Sequence, residues 1–128
     1  MKIFVIRHGE TDLNKTGILQ GQRQDAELNE SGREQAKQTL QALPEHVFTI
    51  CFSSPLKRAR QTAEIIAEHF RLPIIFRDEL KEKDYGSLSG KSFEEVKKVT
   101  GVDRTTMNTK LDLTPWGGGI SCRFRKTS

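Results

Sequence analysis

Hydrophobic positions along this chain fall into short β-branched or aromatic runs separated by stretches of helical period. Ile3-Phe4-Val5-Ile6 is apolar without a break and stops at Arg7-His8-Gly9, which predicts a buried strand whose carboxyl end presents a cation and an imidazole. Ser31 and Glu34 have capping-box spacing, with Ser31 as the cap, and Ala36, Leu40 and Leu43 follow at i, i+4 and i+7. A helix over 32–43 with one buried stripe is expected, ended by Pro44.

Val47-Phe48-Thr49-Ile50-Cys51-Phe52 has strand composition and stops at Ser53-Ser54-Pro55, where Ser54 is placed to cap a helix and Pro55 to sit in its first turn. Leu56, Ala59, Ala63, Ile66, Ala67 and Phe70 then repeat at helical spacing, and Leu72-Pro73-Ile74-Ile75-Phe76 reads as another strand. Strand, helix and strand at these lengths predict a βαβ unit with a parallel pair. A second capping box, Ser92 to Glu95, opens a helix with Phe93, Val96 and Val99 on one side, stopping near Gly101. Val102 to Leu113 has no clear period, and Pro115-Trp116-Gly117-Gly118-Gly119 is loop composition.

Length and charge narrow the picture. The 128 residues suit one compact domain. A net charge of +4 invites a nucleic-acid reading, but three of the four excess charges are Arg123, Arg125 and Lys126, in a final segment, 120–128, without any acid. Residues 1–119 are therefore nearly neutral, and no nucleic-acid partner is expected. Cys51 and Cys122 form no CxxC and have no ligand-like spacing to His8, His46 or His69, which argues against a disulfide scaffold or a zinc site. No run approaches membrane-spanning length and the apolar opening is too short for a signal core, so a cytoplasmic protein without a membrane partner is expected.

Candidate chemistry gathers at two predicted strand ends. Ligands of open α/β sheets bind beyond the carboxyl ends of parallel strands, where loops and helix N-termini converge. Arg7-His8 follows the first strand; Lys57, Arg58 and Arg60 follow the strand ending at Ser53-Ser54. Singly, each reads equally well as a surface charge. Together, an imidazole, guanidinium forks and a helix N-terminus match the charge and acceptor oxygens of a phosphate.

At this point Arg7-His8-Gly9-Glu10-Thr11-Asp12-Leu13-Asn14 resembles the signature of the histidine phosphatase superfamily, which includes the cofactor-dependent phosphoglycerate mutases. Three further blocks agree in order: Gln20-Gly21 with Asp25, Leu28 and Gly32; Ser54-Pro55-Leu56-Lys57-Arg58-Ala59-Arg60-Gln61-Thr62-Ala63; and Leu80 to Gly86 with Gly90. The resemblance covers roughly residues 2–100. It implies an α/β fold, a three-layer αβα with a mostly parallel central sheet, phosphoglycerate mutase-like and missing its C-terminal part.

It also implies roles. His8 is the nucleophile that forms a phosphohistidine, which requires a neutral imidazole whose second nitrogen donates to a carbonyl or carboxylate. Arg7 and Arg58 hold the equatorial oxygens of a phosphoryl group. Glu82 is the general acid, a role that needs its carboxyl partly desolvated in the cleft, with Glu79 and Asp84 the residues most easily confused with it. Asn14, Gln20 and Gly21 line the phosphate or substrate side, although Asn14 alone also reads as a turn residue. The substrate is a phosphorylated small molecule, and neither cofactor nor metal is implied. His46 and His69 match no block and read as peripheral.

Two departures from the family stand out. Members carry a second catalytic histidine late in the chain, in a His-Gly pair, and this sequence has no histidine after His69. Thr114-Pro115-Trp116-Gly117-Gly118 resembles the start of a block that continues Gly-Gly-Glu-Ser, whereas here Gly119-Ile120-Ser121-Cys122 follows. The expectation is a partial domain over 1–119 and a basic tail over 120–128 produced by a frameshift near Gly119. A shifted reading frame that encodes Glu-Ser and a later His-Gly pair is the corresponding test. The functional expectation is then a phosphatase with impaired turnover, with a mutase and an inactive phosphate-binding remnant as its alternatives.

Overall fold

The computed structural model describes residues 2–45, 48–104 and Pro115. Their order is α1 (Asp12–Thr16), α2 (Glu30–Ala42), β1 (Cys51–Ser53), α3 (Lys57–Phe70), β2 (Ile74–Phe76) and α4 (Phe93–Thr100), with 3-10 turns at Asp78–Leu80 and Gly86–Leu88. The βαβ unit forms as its periodicity predicts: β1 and β2 are parallel, with Phe52 opposite Ile75. The α/β class stands, and of the expected sheet the described residues carry this one pair. Ala63, Ile66 and Ala67 are buried on the inner face of α3, with Leu56 buried at its N-cap; the helix lies on both strands and against α2.

Four local expectations need correction. Ile3–Ile6 is not a buried strand: Ile3 and Val5 are 75% and 92% exposed, and the run has no strand partner among the described residues. A strand needs a neighbouring backbone for its amides and carbonyls; here only side chains meet, Phe4 packing edge-on against Phe48 at 5.3 Å and Phe48 against Phe70 at 4.9 Å. β1 is correspondingly short, at three residues. Val47, His46, Val102's successors from 105 to 114, and the tail 120–128 lie outside the described residues.

The cap of α2 is Asn29, not Ser31: its side-chain oxygen accepts from the Gly32 amide at 2.8 Å, and the helix starts at Glu30. The reason is tertiary. Asn29 Nδ2 donates to Glu10 Oε1 at 3.0 Å and to Asp12 Oδ1 at 3.2 Å, ties that no local capping pattern includes. Glu34 pairs with Lys37 in solvent instead of reaching back. The N-terminus of α3 differs for the same kind of reason. Ser54 does not cap it, and Pro55 precedes it; the Lys57 amide donates to Asp25 Oδ1 at 2.7 Å, across the fold.

The capping box of α4 is present as expected, Ser92 Oγ accepting from the Glu95 amide and Glu95 Oε2 from the Ser92 amide. Val96 is fully buried in a small cluster with Leu19, Tyr85 and Leu88, which Phe93 and Val102 flank. Val99 is 57% exposed, so it does not share that face; the cluster covering α4 stops short of it. No helix of the described residues is long and apolar enough to cross a membrane.

Val96→Ala is expected to cost about 2 kcal/mol in urea unfolding, from lost burial and the cavity left behind. Val99→Ala is expected to stay within about 0.5 kcal/mol, as surface substitutions do. Equal losses at both positions would show that α4 is packed differently.

Candidate active site

The Arg7–Thr11 segment is held by its backbone. The Gly9 amide donates to Thr62 Oγ1 of α3 at 3.0 Å, and the Glu10 amide to Gln35 Oε1 of α2 at 2.8 Å. Gly9 and Gly32 lie backbone to backbone: a Cβ on Gly9 would strike the Gly32 carbonyl, and one on Gly32 would strike the carbonyl of Glu10. Only glycine permits that approach. Beyond it, Thr11 caps α1 and Asn14 is the third helical residue, its side chain accepting from the Thr11 amide at 3.1 Å. Asn14 is thus a helix-capping partner as well as a residue of the cleft.

Arg58, in the first turn of α3, is 3% exposed. Its Nη2 donates to the Gly21 carbonyl at 2.7 Å and its Nη1 to the Gln24 carbonyl at 3.0 Å. Burial pulls its pKa below the ordinary value, with the carboxylates of Glu82 and Asp25 opposing. Gly21 presents its carbonyl from a left-handed backbone at φ 59°, and a Cβ there would meet the Tyr85 ring and the Lys83 carbonyl. A buried guanidinium hydrogen-bonded to neutral carbonyls keeps its positive charge uncancelled by any direct carboxylate bond.

His8 Nδ1 lies 2.7 Å from the carbonyl of Gly9. A carbonyl only accepts, so Nδ1 carries the hydrogen and a neutral ring leaves Nε2 with a free lone pair. The imidazole pKa is held below 6.5, first by burial and then by the Arg58 and Arg7 cations; the Gly9 bond and Glu82 act in the opposite direction.

Two cavities meet at this imidazole. One, of about 170 Å³, is lined by Arg7, His8, Asn14, Ile18, Leu19, Gln20, Gly21, Arg58, Glu82, Tyr85, Phe93 and Arg104. The second, of about 220 Å³, shares His8, Arg58 and Glu82 and adds Ser54, Leu56, Ala59, Leu80 and Lys81. All seven residues singled out from the sequence therefore border one cleft.

Particulars differ from the expectation. Glu82 is exposed, so the partial desolvation asked of it is absent; its Oε1 accepts from the Lys83 amide at 3.0 Å. The two carboxylates confusable with it do not line the cleft, and Asp84 is engaged elsewhere, by Arg23 at 2.8 Å and by the Gly86 amide. The expected helix N-terminus is partly taken, since Asp25 already occupies the Lys57 amide. Gln20 is buried, and its Oε1 has no hydrogen-bond partner. His69 is exposed beside the Phe70 ring, away from the cleft.

Four residues were given no role by the sequence reading, although three of them, Asp25, Thr62 and Tyr85, stand inside its motif blocks. Thr62 anchors Gly9, and a hydroxyl on the buried side of a helix was the available signal. Asp25 caps α3 from a loop, which no local pattern announces. Tyr85 is buried, its phenol pushed up to about 12 by burial and by Glu82, and Arg104 lies in a stretch without period. Among the described residues no three His, Cys, Asp or Glu side chains cluster as a metal ion requires.

The sequence profile of the histidine phosphatase superfamily (branch 1) matches residues 3–122. The chain belongs to that superfamily. It is 44% identical over 93 residues to the uncharacterized phosphatase PhoE of Bacillus subtilis, covering 73% of this chain and 48% of that protein. It is 43% identical over 99 residues to the mouse fructose-2,6-bisphosphatase TIGAR, covering 74% of this chain and 37% of that one. A mycobacterial glucosyl-3-phosphoglycerate phosphatase solved with VO3 superposes at a TM-score of 0.78 with 31% identity, over 89% of this chain and 56% of that chain. This histidine phosphatase chain thus spans about half the length of the relatives it matches, or less.

The position of His8 yields a pH expectation. Its folded pKa lies below the unfolded 6.5, so between the two values the unfolded chain binds the proton more readily. The His8 contribution to stability therefore falls as pH drops from about 6.5 toward the folded pKa, then levels off. In an NMR titration the His8 ring should inflect below 6.5, and His8→Gln should flatten the stability loss across that window. An inflection at or above 6.5 would contradict the burial described here.

Proposed function

We propose that this chain carries a phosphomonoester phosphatase site working through a phosphohistidine on His8. The observation that supports it most is the hydrogen bond from His8 Nδ1 to the Gly9 carbonyl, which leaves Nε2 free beside the buried Arg58. In the first half-reaction Nε2 attacks phosphorus, the P–N bond forms as the bond to the leaving oxygen breaks, and the departing alkoxide takes a proton from the Glu82 carboxyl. In the second, water attacks phosphorus and gives its proton to Glu82, the P–N bond breaks, and phosphate leaves a neutral imidazole.

Arg7 and Arg58 hold the equatorial oxygens, over which a loose transition state spreads its charge. Asn14, Gln20 and Gly21 border the substrate. Glu82 is exposed before substrate arrives, and a bound phosphomonoester supplies the desolvation that its role requires. No cofactor is needed. The phosphatase names of the relatives above favour water over a second substrate hydroxyl as the acceptor. A phosphorylated small molecule as partner and the cytoplasm as compartment belong to the same reading, on the size of the cleft and the cysteine usage.

Incubation with a small radiolabelled phosphodonor should place acid-labile phosphate on the chain, and His8→Ala should abolish it. Arg7→Ala, at an exposed position that leaves folding intact, should slow labelling by about 10²–10³. A well-folded chain that takes no label rejects the enzymatic reading and leaves a phosphate-binding remnant in its place.

A further inference from the structure

Asp84 is a carboxylate of the Glu82 block that the phosphoryl chemistry leaves unused, and the structure pairs it with a cation from the facing loop. Its Oδ1 accepts from Arg23 Nε at 2.8 Å and its Oδ2 from Arg23 Nη2 at 3.4 Å, so the guanidinium meets the carboxylate along one edge. Oδ1 also accepts from the Gly86 amide at 2.9 Å, which fastens the same carboxylate to its own turn. The Arg23 bond first, and then the Gly86 amide, hold the Asp84 carboxyl below the usual carboxylate range.

The pair stands at the seam of two loops that line the cleft. Arg23 lies between Gly21 and Gln24, whose carbonyls accept from Arg58. Asp84 lies between Glu82 and Tyr85, the ring against which the Gly21 backbone is pressed. Ahead of Gly21 the first loop is held by the Gly90 amide, which donates to the Leu19 carbonyl at 2.8 Å, and by Ser89 Oγ, which donates to the Gln20 carbonyl at 2.7 Å. Past Gly21 the Arg23–Asp84 pair fastens it, directly beside the candidate acid.

Glu82 depends on such a tie. Its side chain is exposed, no ion pair of the described residues includes it, and its bond to the Lys83 amide stays within its own loop. Its distance from His8 is therefore set by the backbone of 82–86. Tyr85, buried in the small cluster, and Asp84, held by Arg23, place that backbone. With side chains 50% and 29% exposed, Arg23 and Asp84 contribute little to overall stability, but a pair of this kind suffices to bias where a loop sits.

We propose that Arg23 and Asp84 are positioning residues for the general acid: the pair holds the Glu82 loop against the loop that cradles Arg58, and so sets the reach of the Glu82 carboxyl to the leaving oxygen. This rests on the phosphohistidine chemistry proposed above. The proton balance there is unchanged, since Glu82 gives its proton to the departing alkoxide as the P–N bond forms, and neither Arg23 nor Asp84 gains or loses one. The pair acts on how much of the time Glu82 is in place. Its loss harms a reaction in proportion to the need for that proton, which is large for an alkoxide and small for a nitrophenolate.

Rates of acid-labile labelling from two phosphodonors test this: glycerol 3-phosphate, whose alkoxide must be protonated, and 4-nitrophenyl phosphate, whose phenolate leaves unaided. Each carries one phosphate, so loss of the Arg23 cation weakens their attraction alike and cancels in the ratio of the two rates. Arg23→Ala should lower the glycerol 3-phosphate rate about fivefold relative to the 4-nitrophenyl phosphate rate, the most by which a partly exposed pair biases a loop. Asp84→Asn keeps an oxygen for the Gly86 amide and removes the charge; it should shift the ratio as far, and the double variant no further, because the two residues act as one unit. Arg23→Lys should recover part of the ratio, a point charge replacing a fork. Lys37→Ala, which breaks the exposed pair with Glu34 on α2, should leave the ratio unchanged. An unchanged ratio in Arg23→Ala, additive shifts in the double variant, or an equal shift in Lys37→Ala overturns the assignment while the phosphohistidine reading stands. A parent chain that takes no label from either donor overturns both, since the pair then has no acid to position.

Discussion

Everything in the cleft turns on one buried cation. Placing the Arg58 guanidinium at 3% exposure removes water from a permanent charge, a loss that only well-placed acceptors offset. The acceptors are the carbonyls of Gly21 and Gln24, so the loop after α1 must fold over the first turn of α3. Gly21 can do so because its backbone adopts φ 59° and has no Cβ to meet Tyr85. Asp25 then reaches the Lys57 amide, and the same loop both holds the guanidinium and caps its helix. The carbonyls satisfy geometry and leave net positive charge, which is what an arriving anion finds.

That charge has a second effect. Burial first, and then Arg58 and Arg7, keep His8 below its ordinary pKa, so these cations also disfavour a second proton on the imidazole. A protonated ring would attract phosphate too, but would have no lone pair to attack it. Glu82 opposes both effects and lies where both cavities meet. Its exposure sets it apart from the half-buried His8 and the buried Arg58. The site thus sets the buried Arg58 and the half-buried His8 against the exposed side chains of Arg7 and Glu82.

Much of this was legible because it is local. Ser92 and Glu95, three residues apart, specify their capping box without help from the rest of the chain, and the α3 stripe reports its buried face through spacing alone. Ordered motifs named the seven cleft residues. What escaped depends on sequence separations that periodicity does not see. Asn29 outcompetes Ser31 because Glu10 and Asp12 stand opposite it, and Asp25 outcompetes Ser54 because the Arg58 loop brings it near. Val99 has the period of a buried residue, but period describes a face, and a face is buried only where something covers it.

The strand that did not form explains how the site assembles nonetheless. Ile3–Ile6 was expected to aim Arg7 and His8 by lying in a sheet, yet Ile3 and Val5 are exposed and the run has no strand partner among the described residues. The aiming is done downstream, where Gly9 abuts Gly32 and donates to Thr62 and Glu10 donates to Gln35. These contacts bind the loop to α2 and α3, the same helix that carries Arg58. His8 and the buried Arg58 are therefore registered through one helix rather than through a sheet. On the far side, the cluster under α4 supplies Tyr85 and Phe93, so the cleft is the seam between two small packed regions. Its geometry depends on how the Arg58 loop joins them, and the apolar strand residues left in solvent bear on stability more than on where His8 points.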